Sequence, residues 1–379
     1  MLAVLCFNIV VCEWLAQRTP ARHLGTALLV ILLTALEANL FLIPSASANF
    51  PLYEAIFAYV APIGIFYLLL EVNLRDLKAA GLPMLAMFGI GALGTVVGVL
   101  VGMYIIGGQA SLGRLYYAVA GMFTGTYVGG SINFNAVALH YQVVKEGNLY
   151  AGSVVVDNIV TTVWMVATLL LPKMLARVRP VAHATAPATT SPLTLPADSD
   201  AETVAPLQLG LMLGLGALVL WLSNRAAQVG AELGVQVPSI LILTTVALAL
   251  AQVPAVKALR GGRLLGMFSI YLFLAVIGAY CELSALGNMG SLGGALLTFA
   301  TVLCLVHGLI SYGLGALLRQ DWDLVSIASQ ANIGGSTSAL ALSRSLGRAD
   351  LFLPAILVGS LGNGVGTYLG FLVAEWLRP

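Results

Sequence analysis

Charge is scarce in this sequence. Only 9% of its 379 residues are Asp, Glu, Lys or Arg, where a soluble domain carries about 25%. The 17 Lys and Arg nearly cancel the 16 Asp and Glu, so no basic excess points to a nucleic-acid partner. Cysteine is sparse too. Cys6, Cys12, Cys281 and Cys304 all fall in apolar stretches and form neither a CxxC pair nor a Cys/His cluster, which argues against a disulfide framework or a metal site and for small buried apolar residues. No phosphate-loop lysine follows the glycines at 89, 91, 94, 98 and 102, so that stretch reads as a close-packing helix face. A nucleophile elbow and a His/Glu metal set are also missing, which excludes the common forms of membrane-embedded enzyme. Met1–Ala16 lacks the basic lead and cleavage site of a secretory signal and reads as a short retained span.

Apolar residues take up the remainder: 59% of the chain is hydrophobic and its mean hydropathy is +0.96. Residues 22–43, 52–74, 82–107, 149–172, 263–283 and 291–318 are apolar runs of a length that crosses about 30 Å of hydrocarbon. The chain reads as an all-α polytopic membrane protein whose first partner is the bilayer. A Pro/Ala/Thr-rich stretch, 180–205, closes with Asp198, Asp200 and Glu202; such a composition buries little and reads as a disordered cytoplasmic linker. It separates a first repeat, 1–179, from a second, 206–379. Each half offers six apolar segments: 1–17, 22–43, 52–74, 82–107, 115–145 and 149–172, then 206–222, 237–254, 263–283, 291–318, 321–346 and 350–376.

The fifth segment of each half carries Gly-Gly-Ser, at Gly129, Gly130 and Ser131 and again at Gly334, Gly335 and Ser336. The offset is 205, and it also aligns Ala136 with Ala341, Asn158 with Asn363, Val160 with Val365 and Thr162 with Thr367 without a gap. Paired helix breaks at matching points of two membrane halves mark a transporter's binding site. Glycine allows the turn and the approach of a ligand to the backbone. Ser131 and Ser336 are placed to cap the second half-helix, whose N-terminus favours an anion. Polar neighbours join them: Thr124, Thr126, Asn133 and Asn135 in the first half, and Ser329, Gln330, Asn332, Thr337 and Ser338 in the second.

Basic residues bear on whether these segments cross or return, because short cytoplasmic loops collect Lys and Arg. If both cross, eight of the 17 basic residues lie inside; if both are re-entrant hairpins, 13 do, and only Arg114, Lys145, Arg225 and Arg378 lie outside. The count favours hairpins, with a broken helix that crosses as the alternative. Five crossings per half is an odd number, so the repeats are expected to be inverted, giving ten spans, two hairpins and both termini outside.

Ionisable residues within spans mark function. Asp157 lies about nine residues into 149–172, beside Asn158, Thr161 and Thr162, a hard-oxygen set suited to Na⁺ or to a carried proton. Gly362 takes its place in the second half, which keeps Asn363 and Thr367. Glu37 and His307 are weaker candidates, and a lone histidine in a helix reads first as a packing residue. Glu13, Glu71 and Glu282 fall near span ends.

The phrases Tyr-Val-Gly-Gly-Ser-Ile-Asn-Phe-Asn-Ala-Val-Ala (127–138), Ala-Asn-Ile-Gly-Gly-Ser-Thr-Ser-Ala-Leu-Ala (331–341) and Gly-Ser-Leu-Gly-Asn-Gly-Val-Gly-Thr-Tyr-Leu-Gly (359–370) resemble the family called domain of unknown function 819 (YjcL-like), over nearly the whole chain. Gly129, Gly130, Gly334 and Gly335 are also similar to the paired hairpin glycines of sodium-dependent citrate and glutamate carriers. Asp157-Asn158 loosely resembles the paired site of cation/proton antiporters, in reversed order. The expectation is a secondary active transporter of a small polar or anionic solute in the bacterial cytoplasmic (inner) membrane. Solute would bind at Gly129, Gly130, Ser131, Asn133, Asn135, Asn332, Gly334, Gly335, Ser336, Thr337 and Asn363. Na⁺ or H⁺ would couple at Asp157, Asn158 and Thr161, with no cofactor beyond Na⁺ and a homodimer as one assembly. The alternative is a monovalent cation/proton antiporter without organic substrate.

Overall fold

The structure is a computed structural model that describes residues 1–19, 25–45, 50–72, 74, 77–178, 205–235, 237–281 and 289–379. Except for Ala205, the linker lies outside the described residues, as do Arg22, Arg75, Arg179 and Glu282. Among the described residues every regular element is helical. In chain order the main helices are α1 (Leu2–Arg18), α2 (Gly25–Asn39), α3 (Pro51–Leu69, with a π-helical turn at Ile56–Val60), α4 (Leu82–Ile106), α5 (Tyr116–Gly129), α6 (Ser131–His140) and α7 (Gly147–Val178). The second half supplies α8 (Pro206–Glu232), α9 (Ser239–Leu250), α10 (Gly262–Ala279), α11 (Met289–Leu317), α12 (Trp322–Ser345) and α13 (Phe352–Leu377).

Among the described residues seven helices are long and apolar enough to cross a membrane: α3, α4, α7, α8, α10, α11 and α13. The other three expected crossings fall on shorter helices, α1 (17 residues), α2 (15) and α9 (12). The run expected to continue to residue 43 stops as a helix at Asn39, and Phe41 takes a positive φ of 58°, which a bulky side chain rarely adopts within a helix.

Three helices of each half form one bundle and the rest form another. α1, α2 and α3 pack with α8, α9 and α10. Small residues bring these helices close: a Cβ at Gly64 would lie 2.8 Å from that of Ser269, and Tyr67 donates to the Met212 carbonyl at 3.0 Å. The second bundle joins α4 to α7 with α11 to α13. Here α4 runs antiparallel to α11, with Gly94 against His307, Gly98 against Leu303 and Gly102 against Phe299. Gly91 meets Asn332 and His307, whereas Gly89 faces nothing within 4 Å. The glycine face expected from the sequence is thus a packing face, apart from Gly89.

Each Gly-Gly-Ser segment leaves and returns at one end of this second bundle. Arg114, just before α5, pairs with Glu146, just after α6, at 3.1 Å. Between them α6 folds back along α5: a Cβ at Gly125 would sit 3.0 Å from that of Asn133, and one at Gly121 would sit 3.2 Å from Val137. The second segment is α12, and a straight helix of its 24 residues would span about 36 Å. Arg348 beyond its end nevertheless reaches Asp321 and Asp323 at its start, at 2.5 and 3.1 Å, and Asp350 at 2.8 Å. The Asp350 bond foremost, with those of Asp321 and Asp323, raises the Arg348 guanidinium above its ordinary range. Cysteines placed at 114 and 145 are expected to react with an impermeant thiol reagent from the same side of sealed vesicles. Labelling of one with protection of the other would mean a segment that crosses.

α13 orients the two hairpins. Hairpin 2 has its base at the start of α13, beside Arg348. Hairpin 1 has its base at the far end, where Tyr116 donates to the Leu377 carbonyl at 2.6 Å, Tyr141 bonds Glu375 at 2.6 Å and Arg378 lies over the Tyr117 ring. The hairpins therefore enter from opposite ends of the bundle.

Candidate functional site

The tips of the two hairpins meet the middle of α13 one turn apart. Gly129 lies against Gly362, and Ser336 against Gly359, with no room for a Cβ on any of the three glycines. The break in hairpin 1 is Gly130 (φ 96°, ψ 175°) and in hairpin 2 Gly335 (φ 74°, ψ −172°). Both values lie in a region that is essentially glycine-only. The 205-residue offset thus matches backbone geometry as well as letters.

Several side chains sit differently from the sequence expectation. Gly130 itself occupies the cap of α6 and no side chain caps that helix; Ser131 is its first helical residue. Ser336 likewise follows the non-helical Gly335. Turning the chain back requires positive φ, so the glycine holds the position where a serine cap would stand. Asn133 and Asn135 are buried in the returning arm. Asn133 donates to the Gly362 carbonyl at 3.4 Å and accepts from Thr367 at 2.7 Å; Asn135 accepts from Tyr150. Both bind hairpin 1 to its neighbours and do not face the tip. Asn332 is buried as well, donating to the Phe88 and Ala328 carbonyls at 3.1 Å. Gly129 is a packing contact, and Gly334 is closed in by Gln330 and Ser338. What remains at the tips is Gly130, which a Cβ would bring to 3.5 Å from Asn363 Oδ1, exposed Ser131, partly exposed Ser336 and Asn363, exposed Thr337, and Gly335, with no atom within 4 Å of its Cβ position.

Helical periodicity divides the expected cation set. Asp157, Thr161, Trp164 and Thr168 are spaced along one face of α7, directed into the bundle. Asp157 adjoins Tyr127 and Thr161, and its Oδ1 is buried without a hydrogen-bond partner. Trp164 donates to Ser329 at 3.1 Å and Thr168 to Gln330 at 3.2 Å, tying α7 to hairpin 2. Asn158 lies on the neighbouring, exposed face, bonded locally to the Val154 carbonyl at 2.9 Å, and Thr162 shares that face. The oxygen set around Asp157 is therefore Thr161 with Tyr127, and does not include Asn158. Glu37 belongs to the first bundle, accepting from Asn8 at 2.5 Å.

His307 is fully buried and tautomerically determined. Thr95 spends its single proton on the Tyr127 carbonyl at 2.9 Å, so at 3.0 Å it accepts from His307 Nδ1. His307 Nε2 then accepts from Ser329 at 2.8 Å, and Ser329 accepts from Trp164. One polarised chain links hairpin 2, α11, α4 and hairpin 1.

Between the bundles, at the hairpin 1 end, lies a cleft of 310 Å³ bordered by Glu54, Phe57, His140, Lys145, Asn224 and Ile240. Phe57 belongs to the π-helical turn of α3, a feature frequent at functional sites. Lys145 and Glu54 form an ion pair at 3.3 Å across its mouth. None of the tip residues lines this cleft.

A signal present in the sequence but passed over is the pair of stripes Gly121-x₃-Gly125-x₃-Gly129 and Gly362-x₃-Gly366-x₃-Gly370. Gly121 faces Gly370, Gly125 faces Gly366 and Gly129 faces Gly362. α5 and α13 thus pack antiparallel along matched small-residue faces, and this contact sets where hairpin 1 ends.

The elements together define an all-helical, polytopic membrane protein with two opposed glycine-tipped hairpins in one bundle. The chain belongs to the family described as "Protein of unknown function (DUF819)", matched over residues 3–379. It is 25% identical over 340 residues to "Uncharacterized membrane protein YjcL" of Bacillus subtilis (strain 168), covering 86% of this chain and 84% of that one.

Proposed function

We propose that this protein is a secondary active transporter of a small polar or anionic solute, coupled to Na⁺ or H⁺ by alternating access, in the bacterial cytoplasmic membrane. The observation that carries the reading is the meeting of two opposed hairpin tips, each broken at a positive-φ glycine, halfway along α13. Non-helical backbone at membrane depth is tolerated where it lines a cavity or is buried in protein, and discontinuous helices at the interface of inverted repeats hold the substrates of many carriers. Gly130, Ser131, Gly335, Ser336, Thr337 and Asn363 are the solute-facing set in this reading, and Asp157 with Thr161 holds the coupling cation. The hairpin bundle moves against α1–α3 and α8–α10, which serve as the scaffold and, in a homodimer, as its interface. The cleft between the bundles, large enough for a small solute, supports that division.

A melting-temperature screen of the purified protein against amino acids, carboxylates and monovalent cations, followed by uptake into proteoliposomes, tests the reading. A panel with no stabilising organic ligand would favour a cation/proton antiporter. That reading draws on one observation, a buried carboxylate oxygen at Asp157 without a partner. Asp157→Asn is expected to fold and to lose ion-driven uptake. Uptake that keeps its full Na⁺ and pH dependence in this variant would remove Asp157 from the mechanism.

A further inference from the structure

We infer that the hydroxyl of Tyr127 is a ligand of the cation bound at Asp157, so that hairpin 1 and α7 hold one Na⁺ between them; this rests on the transporter reading above and specifies its ion site. Tyr127 is wholly buried three residues before the break, its ring edge-on to Phe123 at 5.6 Å. Its backbone carbonyl is tied to Thr95, and through Thr95 to His307, at 2.9 and 3.0 Å. The ring is thus held in place from behind. In front, its hydroxyl adjoins the Asp157 carboxyl. Tyr127, Thr161 and Asp157 lie within hydrogen-bonding reach of one another, yet Tyr127 Oη and Asp157 Oδ1 are both buried without a partner in good hydrogen-bond geometry. Buried polar groups are nearly always paired. Two buried oxygens set side by side without a well-formed bond are placed as neighbouring ligands of a common positive charge, and Thr161 brings a third from the next turn of α7.

The other titratable groups that act on this carboxyl are Tyr127 from α5, Cys304 from α11 and Tyr150 from α7 itself, none of them basic. Among the described residues no cationic side chain acts on this carboxylate, and a bound cation fills that role. The equivalent position in hairpin 2 is Asn332, whose Oδ1 is likewise buried and unpartnered, but Gly362 stands where the acid would be. Among the described residues the structure accordingly assigns one such site.

The test is the melting temperature of purified protein in NaCl against choline chloride, at one pH and one ionic strength, for wild type, Asp157→Asn and Tyr127→Phe. Na⁺ is expected to raise the wild-type melting temperature through binding to the folded state. Asp157→Asn should lose the rise, and Tyr127→Phe should at least halve it. In choline, Tyr127→Phe should melt close to wild type or above it, because the buried hydroxyl it removes makes no well-formed hydrogen bond. A rise lost in Asp157→Asn but full in Tyr127→Phe overturns the role of Tyr127 alone. A rise that survives Asp157→Asn overturns the site, and with it the coupling role of Asp157. A wild type indifferent to Na⁺ overturns the inference while leaving solute transport to be decided by the ligand screen. A Tyr127→Phe protein that melts lower in choline with its Na⁺ rise intact shows a structural hydroxyl only.

Discussion

Gly129→Ala is expected to abolish the folded protein, whereas Gly335→Ala is expected to fold and lose solute binding. The two glycines belong to the same repeated motif but do different things. A methyl group on Gly129 would be driven into the backbone of Gly362. Neither partner can move aside, because Gly121 and Gly125 hold α5 against Gly370 and Gly366 along the same line. Overpacking of this kind reaches about 3 kcal/mol or more when backbone is the obstacle. A methyl group on Gly335 meets nothing within 4 Å; its cost is conformational, about 1–3 kcal/mol for holding φ 74° and ψ −172° with a side chain. Size-exclusion profiles and melting temperatures of the two variants measure the contrast. A Gly129→Ala protein that is monodisperse and melts like wild type would mean that the hairpin 1 tip is not seated on α13.

Arg348→Ala is expected to destabilise the base of hairpin 2 by about 3 kcal/mol, the scale of removing one partner of a largely buried ion pair. Arg348 is the group that holds the carboxylates of Asp321, Asp323 and Asp350 together, and its side chain is only 15% exposed. Removing it leaves three like charges facing one another where the chain enters and leaves the bundle. Lysine should restore the charge but not the forked geometry that reaches three partners, and so rescue only in part. By contrast, Arg114→Ala should change little, because that pair is exposed on both sides, at 83% and 49%, and exposed pairs contribute little. Melting temperatures rank the three variants, and an Arg348→Ala protein as stable as wild type would show that the base is held by packing alone.

Much of the architecture is readable before folding. Long apolar runs with few charges set the class. The duplicated Gly-Gly-Ser marks the two breaks, because only glycine takes the backbone angles seen at Gly130 and Gly335. Even the return of each fifth segment is foreshadowed in the distribution of Lys and Arg, and the pairing of Arg114 with Glu146 and of Arg348 with Asp321 agrees with it. Which residue of each Gly-Gly-Ser caps the following helix was less legible. A serine is a good cap in general, but a chain that must reverse direction needs positive φ at that position, and the need to reverse belongs to the tertiary fold.

The site shows the same division. Asp157 and Asn158 are adjacent in sequence and suggest one oxygen cluster, yet adjacent residues on a helix point about 100° apart. Which of the two faces the bundle depends on where α11 and α12 pack against α7. Tyr127 carried no signal of its own, since a tyrosine in an apolar segment is ordinarily core. It becomes a candidate ligand only because the fold brings its hydroxyl to Asp157 and leaves both without a partner in good hydrogen-bond geometry. The sequence by itself determined the membrane class, the places where the helices break and the position of the acid Asp157 within an apolar run. Tertiary structure alone decided that the tips meet on α13, that Asn133 and Asn135 are hydrogen-bonded into the returning arm, and that Asp157 looks toward Tyr127. Local chemistry is written residue by residue, whereas partners far apart in the chain are chosen by close packing of small-residue faces.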